Sequence, residues 1–78
     1  MNDKYKLIEY FYTEALKHEV NSEEFLKNSK QITKLYREHF GLSPFWLEYH
    51  KYVENDNKES VLRYLEMMII ELRKIYEF

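Results

Sequence analysis

Gly41 and Pro44 are the only glycine and the only proline in a chain of 78 residues, and they stand three residues apart. These two residue types punctuate a chain, one by reaching positive φ, the other by fixing φ and lacking an N–H. With a single such break, the chain has little loop to spare. Gly41-Leu42-Ser43-Pro44 reads as a stop followed by a restart. Glycine takes the C′ position of one helix, with Leu42 ready to fold back on its last turn. Ser43 caps the next helix, and Pro44 sits at N1, where a missing N–H costs nothing.

Hydrophobic periodicity predicts four helices and no strand. The first spans about residues 3–19. Leu7, Ile8, Phe11, Tyr12, Ala15 and Leu16 form its apolar face, Lys6, Glu9, Thr13 and Lys17 lie opposite, and Tyr10 stands apart from both groups. The second spans about 22–40. Asn21 is its expected N-cap, Glu24 completes a capping box, Val20 packs on Phe25 as a hydrophobic staple, and Phe25, Ile32, Tyr36 and Phe40 point inward. The third, about 44–54, carries Phe45, Trp46, Tyr49 and Tyr52 together with Leu47 and Val53, and its aromatic cluster is expected to be core, with base stacking or a ligand pocket as the alternative. Asn55-Asp56-Asn57 is a break in which Asp56 and Glu59 read as another capping box, and the fourth helix follows over about 57–77.

Connections of two to four residues make sequential helices neighbours. The third helix is about half as long as the fourth, which argues against a regular up-down-up-down bundle. The expected fold is all-α, a compact irregular four-helix domain covering residues 1–78. A chain this short is near the lower limit for folding alone, and its eight Tyr, five Phe and one Trp supply buried area that aliphatic residues would not. No cysteine is present, which removes disulfides, thiolate zinc sites and cysteine nucleophiles together. The run Met1-Asn2-Asp3-Lys4-Tyr5-Lys6 lacks the apolar stretch of a signal peptide, and no apolar run approaches the ~20 residues of a membrane span. A cytoplasmic location is the expectation.

Catalytic patterns are sparse. Glu14 with His18, and His50 with Glu54, stand four apart and could each hold half of a divalent metal site, but zinc needs three or four convergent ligands and no HExxH or ExxH spacing is present. Ser43 is explained by capping, Ser22 and Ser60 lie in first turns, and no nucleophile motif or glycine-rich phosphate loop surrounds any serine. His39 near Arg37 hints at RNA cleavage, with nothing else to support it. No catalytic, cofactor-binding or metal-binding residue is therefore assigned, and the expectation is a non-enzymatic protein without a cofactor.

Two binding surfaces are expected instead. Met67-Met68-Ile69-Ile70 wraps around a helix at about 100° per residue. Met68 and Ile69 fall with Val61, Leu65, Leu72, Ile75 and Tyr76 on the core side. Met67 and Ile70 fall among Arg63, Glu66, Arg73, Lys74 and Glu77 on the polar side. The first reading is a partner-binding patch of Met67 and Ile70 rimmed by Arg63 and Lys74, with Tyr10 and Phe78 as additions. It implies a protein partner or a homodimer through the fourth helix, as in a small inhibitor, immunity or regulatory protein. The competing explanation is a central helix covered by its own chain. The alternative reading is a nucleic-acid-binding regulator. Lys27, Lys30, Lys34 and Arg37, spaced three, four and three apart, form a basic stripe along the second helix, flanked by Gln31. A net charge of −2 and the bracketing Glu23 and Glu38 weigh against it, and a solvated outer face is the competing explanation.

Overall fold

The computed structural model describes residues 3–77. They form four helices, α1 (Asp3–Ala15), α2 (Glu23–Phe40), α3 (Pro44–Glu54) and α4 (Lys58–Tyr76), and no strand. The last three lie within a residue of their expected spans, and α1 stops four residues early. After Ala15 the backbone tightens, with the Lys17 N–H bonded to the Glu14 carbonyl and that of His18 to the Ala15 carbonyl. These i→i−3 bonds mark a helix end winding down. The first connection is therefore residues 16–22, longer than expected.

Both expected capping boxes are displaced by one residue. Asn21 and Asp56 have positive φ (72° and 52°), and the residues after them cap the helices. Ser22 Oγ accepts from the Phe25 N–H, and Asn57 Oδ1 accepts from the Ser60 N–H. Asn and Asp are the side chains that best tolerate a left-handed backbone, so each makes the reversal and leaves the cap to its neighbour. Neither Glu24 nor Glu59 then stands at N3. The two reversing residues also meet. Asn21 Nδ2 donates to Asp56 Oδ1 at 2.8 Å and to the Val53 carbonyl at 3.1 Å, and Lys58 reaches Glu19 at 2.6 Å beside them. Val20, expected to staple onto Phe25, is partly buried against the core. At the other break the expectation holds: Ser43 caps α3 by accepting from the Trp46 N–H, with Pro44 first in the helix. Gly41 has φ 64° and ψ −143°, a region essentially reserved for glycine, and its N–H bonds to the Arg37 carbonyl at 2.8 Å.

α1 pairs with α2 and α3 pairs with α4, each as a hairpin. The hairpins meet mainly where α2 faces α4, while α1 and α3 do not approach each other. Directions alternate along the chain. Tyr12 reaches Glu66 while Glu9 reaches Arg73, and Ser29 reaches Tyr49 while Arg37 reaches Trp46. The up-down alternation is thus present. Regularity is lost because one diagonal of the bundle is closed and the other open, giving a flattened body of 35 × 26 × 15 Å. The outward faces of α2 and α4 consequently lie on opposite sides of the protein.

The core joins Ile8 and Ala15 of α1, Phe25, Ile32 and Tyr36 of α2, Tyr49 of α3, and Val61, Leu65, Met68, Ile69 and Leu72 of α4. Every inward residue expected on α2 is buried except Phe40, which is 39 % exposed. Phe40 occupies the last turn of α2 and lies against the ring of Tyr36, with centroids 4.5 Å apart. On α1 the buried stripe is narrower than its apolar face. Leu7 and Leu16, expected inward, are exposed, while Phe11 and Tyr12 are partly buried. Ile75, expected on the core side of α4, is also exposed. Of the α3 aromatics only Tyr49 is fully enclosed; Phe45, Trp46 and Tyr52 pack on the core from its edge. No helix of the described residues is long and apolar enough to cross a membrane.

Two stability effects follow. A Cβ on Gly41 would meet nothing within 4 Å, so substitution there strains the backbone without a clash. Gly41→Val is expected to cost more than ~1 kcal/mol in chemical denaturation. Leu65→Ala and Leu72→Ala, both fully buried, are expected to cost ~2–5 kcal/mol each, enough to unfold a domain whose total stability is ~5 kcal/mol. Circular dichroism during urea titration reads all three.

Candidate functional site: a cationic groove between α2 and α3

The register of α2 is set by what it buries. Phe25, Ser29, Ile32, Thr33 and Tyr36 turn inward, so Lys27, Lys30, Lys34 and Arg37 turn outward, and all four are exposed. None of them makes an ion pair among the described residues. The pairs that do form are Lys17–Glu14, Lys58–Glu19, Arg63–Glu59 and Arg73–Glu9. The stripe is therefore the place where cations gather along a helix without intramolecular neutralisation. Glu23 stands four residues before Lys27, yet the two are not paired.

The partner wall is α3, and a buried hydroxyl pair positions it. Ser29 Oγ lies 2.7 Å from Tyr49 Oη, and Ser29 also reaches the Leu26 carbonyl at 3.4 Å. Both hydroxyls are satisfied when Tyr49 donates to Ser29 and Ser29 donates to Leu26. Burial pushes the Tyr49 phenol above its usual pKa, so it is a neutral donor across the ordinary range. With Tyr49 turned inward, Trp46, three residues before it, and His50, one residue after it, fall on the same flank of α3 and line the groove against α2.

A groove of about 440 Å³ opens between the two helices, lined by Lys30, Thr33, Lys34, Arg37, Glu38, Trp46 and His50. That volume falls within the ~300–1,000 Å³ typical of ligand pockets. A smaller cleft of about 170 Å³ shares Lys30, Thr33 and His50 with it and adds Leu26, Tyr49 and Val53. Three of the four stripe cations line the main groove against one carboxylate, Glu38. Lys27 does not line it. The Arg37 guanidinium sits over the Trp46 ring, 4.8 Å from its centroid, so the indole holds this cation in place.

His50 packs its ring on Trp46 at 4.2 Å and edge-on to Tyr49 at 5.2 Å. Its Nε2 is buried and has no hydrogen-bond partner in the protein. Burial lowers the pKa of His50 below 6.5, Glu54 on its own helix opposes the shift, and Arg37 from α2 adds to it. The His50–Glu54 spacing noted in the sequence thus acts as an electrostatic pair. At the other pair, Glu14 binds Lys17 at 2.6 Å. Among the described residues no three His, Asp or Glu side chains gather as a metal site. His39 shares a hydrogen bond with the Tyr76 hydroxyl.

The residues expected on the α4 face lie on the opposite side. Ile70 is 50 % exposed, Met67 is half-buried, and Arg63 and Lys74 are exposed. Arg63 approaches Glu59 at 3.8 Å. Tyr10 is exposed on α1, and Phe78 lies outside the described residues. Met68 and Ile69 are buried as expected. The two candidate surfaces are therefore back to back and cannot form one interface.

No family model, no curated protein and no solved structure matches this chain. Its geometry is the basis for any functional reading. Sequence reasoning located the stripe and expected the Trp46 cluster to be core, with a base-stacking or ligand-pocket role as the alternative; Trp46 packs on the core edge and also lines the groove, and His50 was not connected to the lysines. The only available signal was the i,i+4 spacing of Trp46 and His50, and that spacing does not say which helix they face.

Removing one hydroxyl tests the pin beneath the groove. Ser29→Ala strands the buried Tyr49 hydroxyl and is expected to cost ~1–3 kcal/mol. Tyr49→Phe leaves Ser29 its backbone acceptor and should cost less, ~0.5–1.5 kcal/mol. Urea midpoints of the two variants give the order. A pH titration tests His50. Its folded pKa lies below its unfolded one, so the unfolded chain protonates first as pH falls. The His50 contribution is therefore complete above pH 6.5 and is lost as pH drops through the window below it. His50→Gln is expected to lose less stability than the native chain between about pH 7.5 and about pH 5.5, read as the shift in urea midpoint.

Proposed function

We propose that this chain is a non-enzymatic binding protein that takes nucleic acid on the α2 face. One observation carries the reading: Lys27, Lys30, Lys34 and Arg37 form an exposed row without ion pairs, beside a groove holding Trp46. Phosphates supply the charge that the row lacks, and each contact releases counterions. The net charge of −2 is carried elsewhere, since this groove presents three cations against Glu38 alone. In this reading the protein acts as a small regulator within the cell.

The test is salt dependence. For the native chain, log Kobs should fall with log[salt] by about 0.7 per single-strand phosphate contacted or about 0.9 per duplex phosphate. Lys30→Gln, Lys34→Gln, Arg37→Gln combined should flatten that slope by about two units while helicity is retained. Absence of binding to any oligonucleotide at low salt defeats the reading.

A second reading keeps the α4 face as a protein-binding surface, for a homodimer or for a target that the protein inhibits. It is favoured by Ile70, half exposed beside Met67, with Arg63 and Lys74 at the rim. It ranks below the groove because a single strongly exposed aliphatic residue is ordinary on a protein surface. Met67→Glu with Ile70→Lys should leave helicity intact and abolish the dimer in light scattering or target capture in a pull-down. A native chain that is monomeric at all concentrations and captures no protein removes this reading.

A further inference from the structure

The stripe by itself suits any nucleic acid, but the groove beside it discriminates. We infer that the α2/α3 groove receives an unpaired nucleobase, so that the ligand of the α2 face is single-stranded. This inference rests on the proposed nucleic-acid binding and adds to it the form of the ligand.

Duplex recognition by a helix needs a face that stands out from the protein and enters a groove of the duplex. α2 is the wrong helix for that role. It packs on α1, α3 and α4, and its exposed side, the stripe flanked by Glu24, Gln31 and Glu38, lies between a groove against α1 and a groove against α3. The cations thus border a concavity. A phosphate-bearing strand following them brings its own bases to that concavity, and a duplex keeps its bases stacked inside.

The contents of the groove suit a flat heteroaromatic ring attached to a phosphate. Arg37 is held on Trp46 at 4.8 Å, which pre-orients a planar cation, and bases stack on guanidinium planes as well as on aromatic rings. Beside it lie Trp46, Thr33 and His50, which give the groove an aromatic and largely apolar wall of the kind an unstacked base packs on. The volume of about 440 Å³ gives space for one ring and its sugar. Glu38 at the rim is unfavourable to a phosphate there, which places the phosphates along Lys30, Lys34 and Arg37.

The sole tryptophan of the chain is Trp46, so indole emission excited beyond the absorption of the eight tyrosines reports on this groove. The full chain is titrated with a single-stranded oligothymidylate of about eight nucleotides, an abasic strand of equal length and charge, a duplex of equal length, and thymidine monophosphate. Emission and the anisotropy of end-labelled strands are both recorded. The single strand is expected to quench Trp46 and to bind at least about tenfold more tightly than the abasic strand and the duplex, equivalent to ~1.4 kcal/mol. Quenching by the monophosphate at far higher concentration supports the base site and assigns the remaining affinity to the strand. Equal binding of normal and abasic strands without quenching overturns the base site and leaves phosphate binding standing. Tighter binding of the duplex overturns it as well. No binding of any ligand defeats this inference and the proposed function together. Trp46→Leu, checked for helicity, should keep the salt slope and lose the preference for bases; a retained preference overturns the assignment.

Discussion

The buried bond between Ser29 and Tyr49 is a directional contact within the apolar seam where the two helical hairpins meet, and only one register of α3 on α2 satisfies it. A displaced seam would leave the Tyr49 hydroxyl without a partner in a dry interior, at a cost of ~1–3 kcal/mol, while Ser29 keeps the Leu26 carbonyl of its own helix. α3 is held mainly on α4, and this polar pin is its buried directional contact with α2. The position of α3 in turn decides whether Trp46 and His50 face the lysines of α2.

Other polar contacts complete the arrangement around the periphery. At one end Asn21 and Asp56, both in left-handed backbone conformations, hold the two reversals of the chain together. Along the side, Arg73 makes a two-pronged contact with Glu9, and Tyr12 reaches Glu66, fixing α1 on α4. Exposed pairs of this kind contribute little energy individually, and the Arg–carboxylate fork is the strongest among them. Their shared effect is orientation, since each connects one hairpin to the other.

Ion pairing is unevenly distributed. Lys17, Lys58, Arg63 and Arg73 are drawn into pairs with Glu14, Glu19, Glu59 and Glu9. On α2 the inward residues occupy one side completely, and the acids stand at its two ends, so the intervening cations face solvent with no pairing carboxylate. A groove with three cations, an indole and a partnerless imidazole nitrogen is the consequence.

Much of the fold was legible in the sequence because it rests on local rules. Gly41, Ser43 and Pro44 mark the central break through backbone conformation and capping, which depend only on near neighbours. The spacing of Phe25, Ile32 and Tyr36, and of Leu65, Met68 and Leu72, states which side of a helix is apolar. The same rules were ambiguous where one residue type serves two purposes: Asn21 and Asp56 suit a cap and a reversal equally, and only the path of the chain selects the reversal. They also overstated burial at Leu7, Leu16, Phe40 and Ile75, because an apolar face is buried only as widely as its neighbours cover it. The basic stripe was likewise readable, being a matter of angle around one helix. That Trp46 and His50 lie across from it was decided by tertiary structure alone. Their placement depends on how α3, packed on α4, meets α2, and that meeting includes the bond between Ser29 and Tyr49, twenty residues apart and without any local signature.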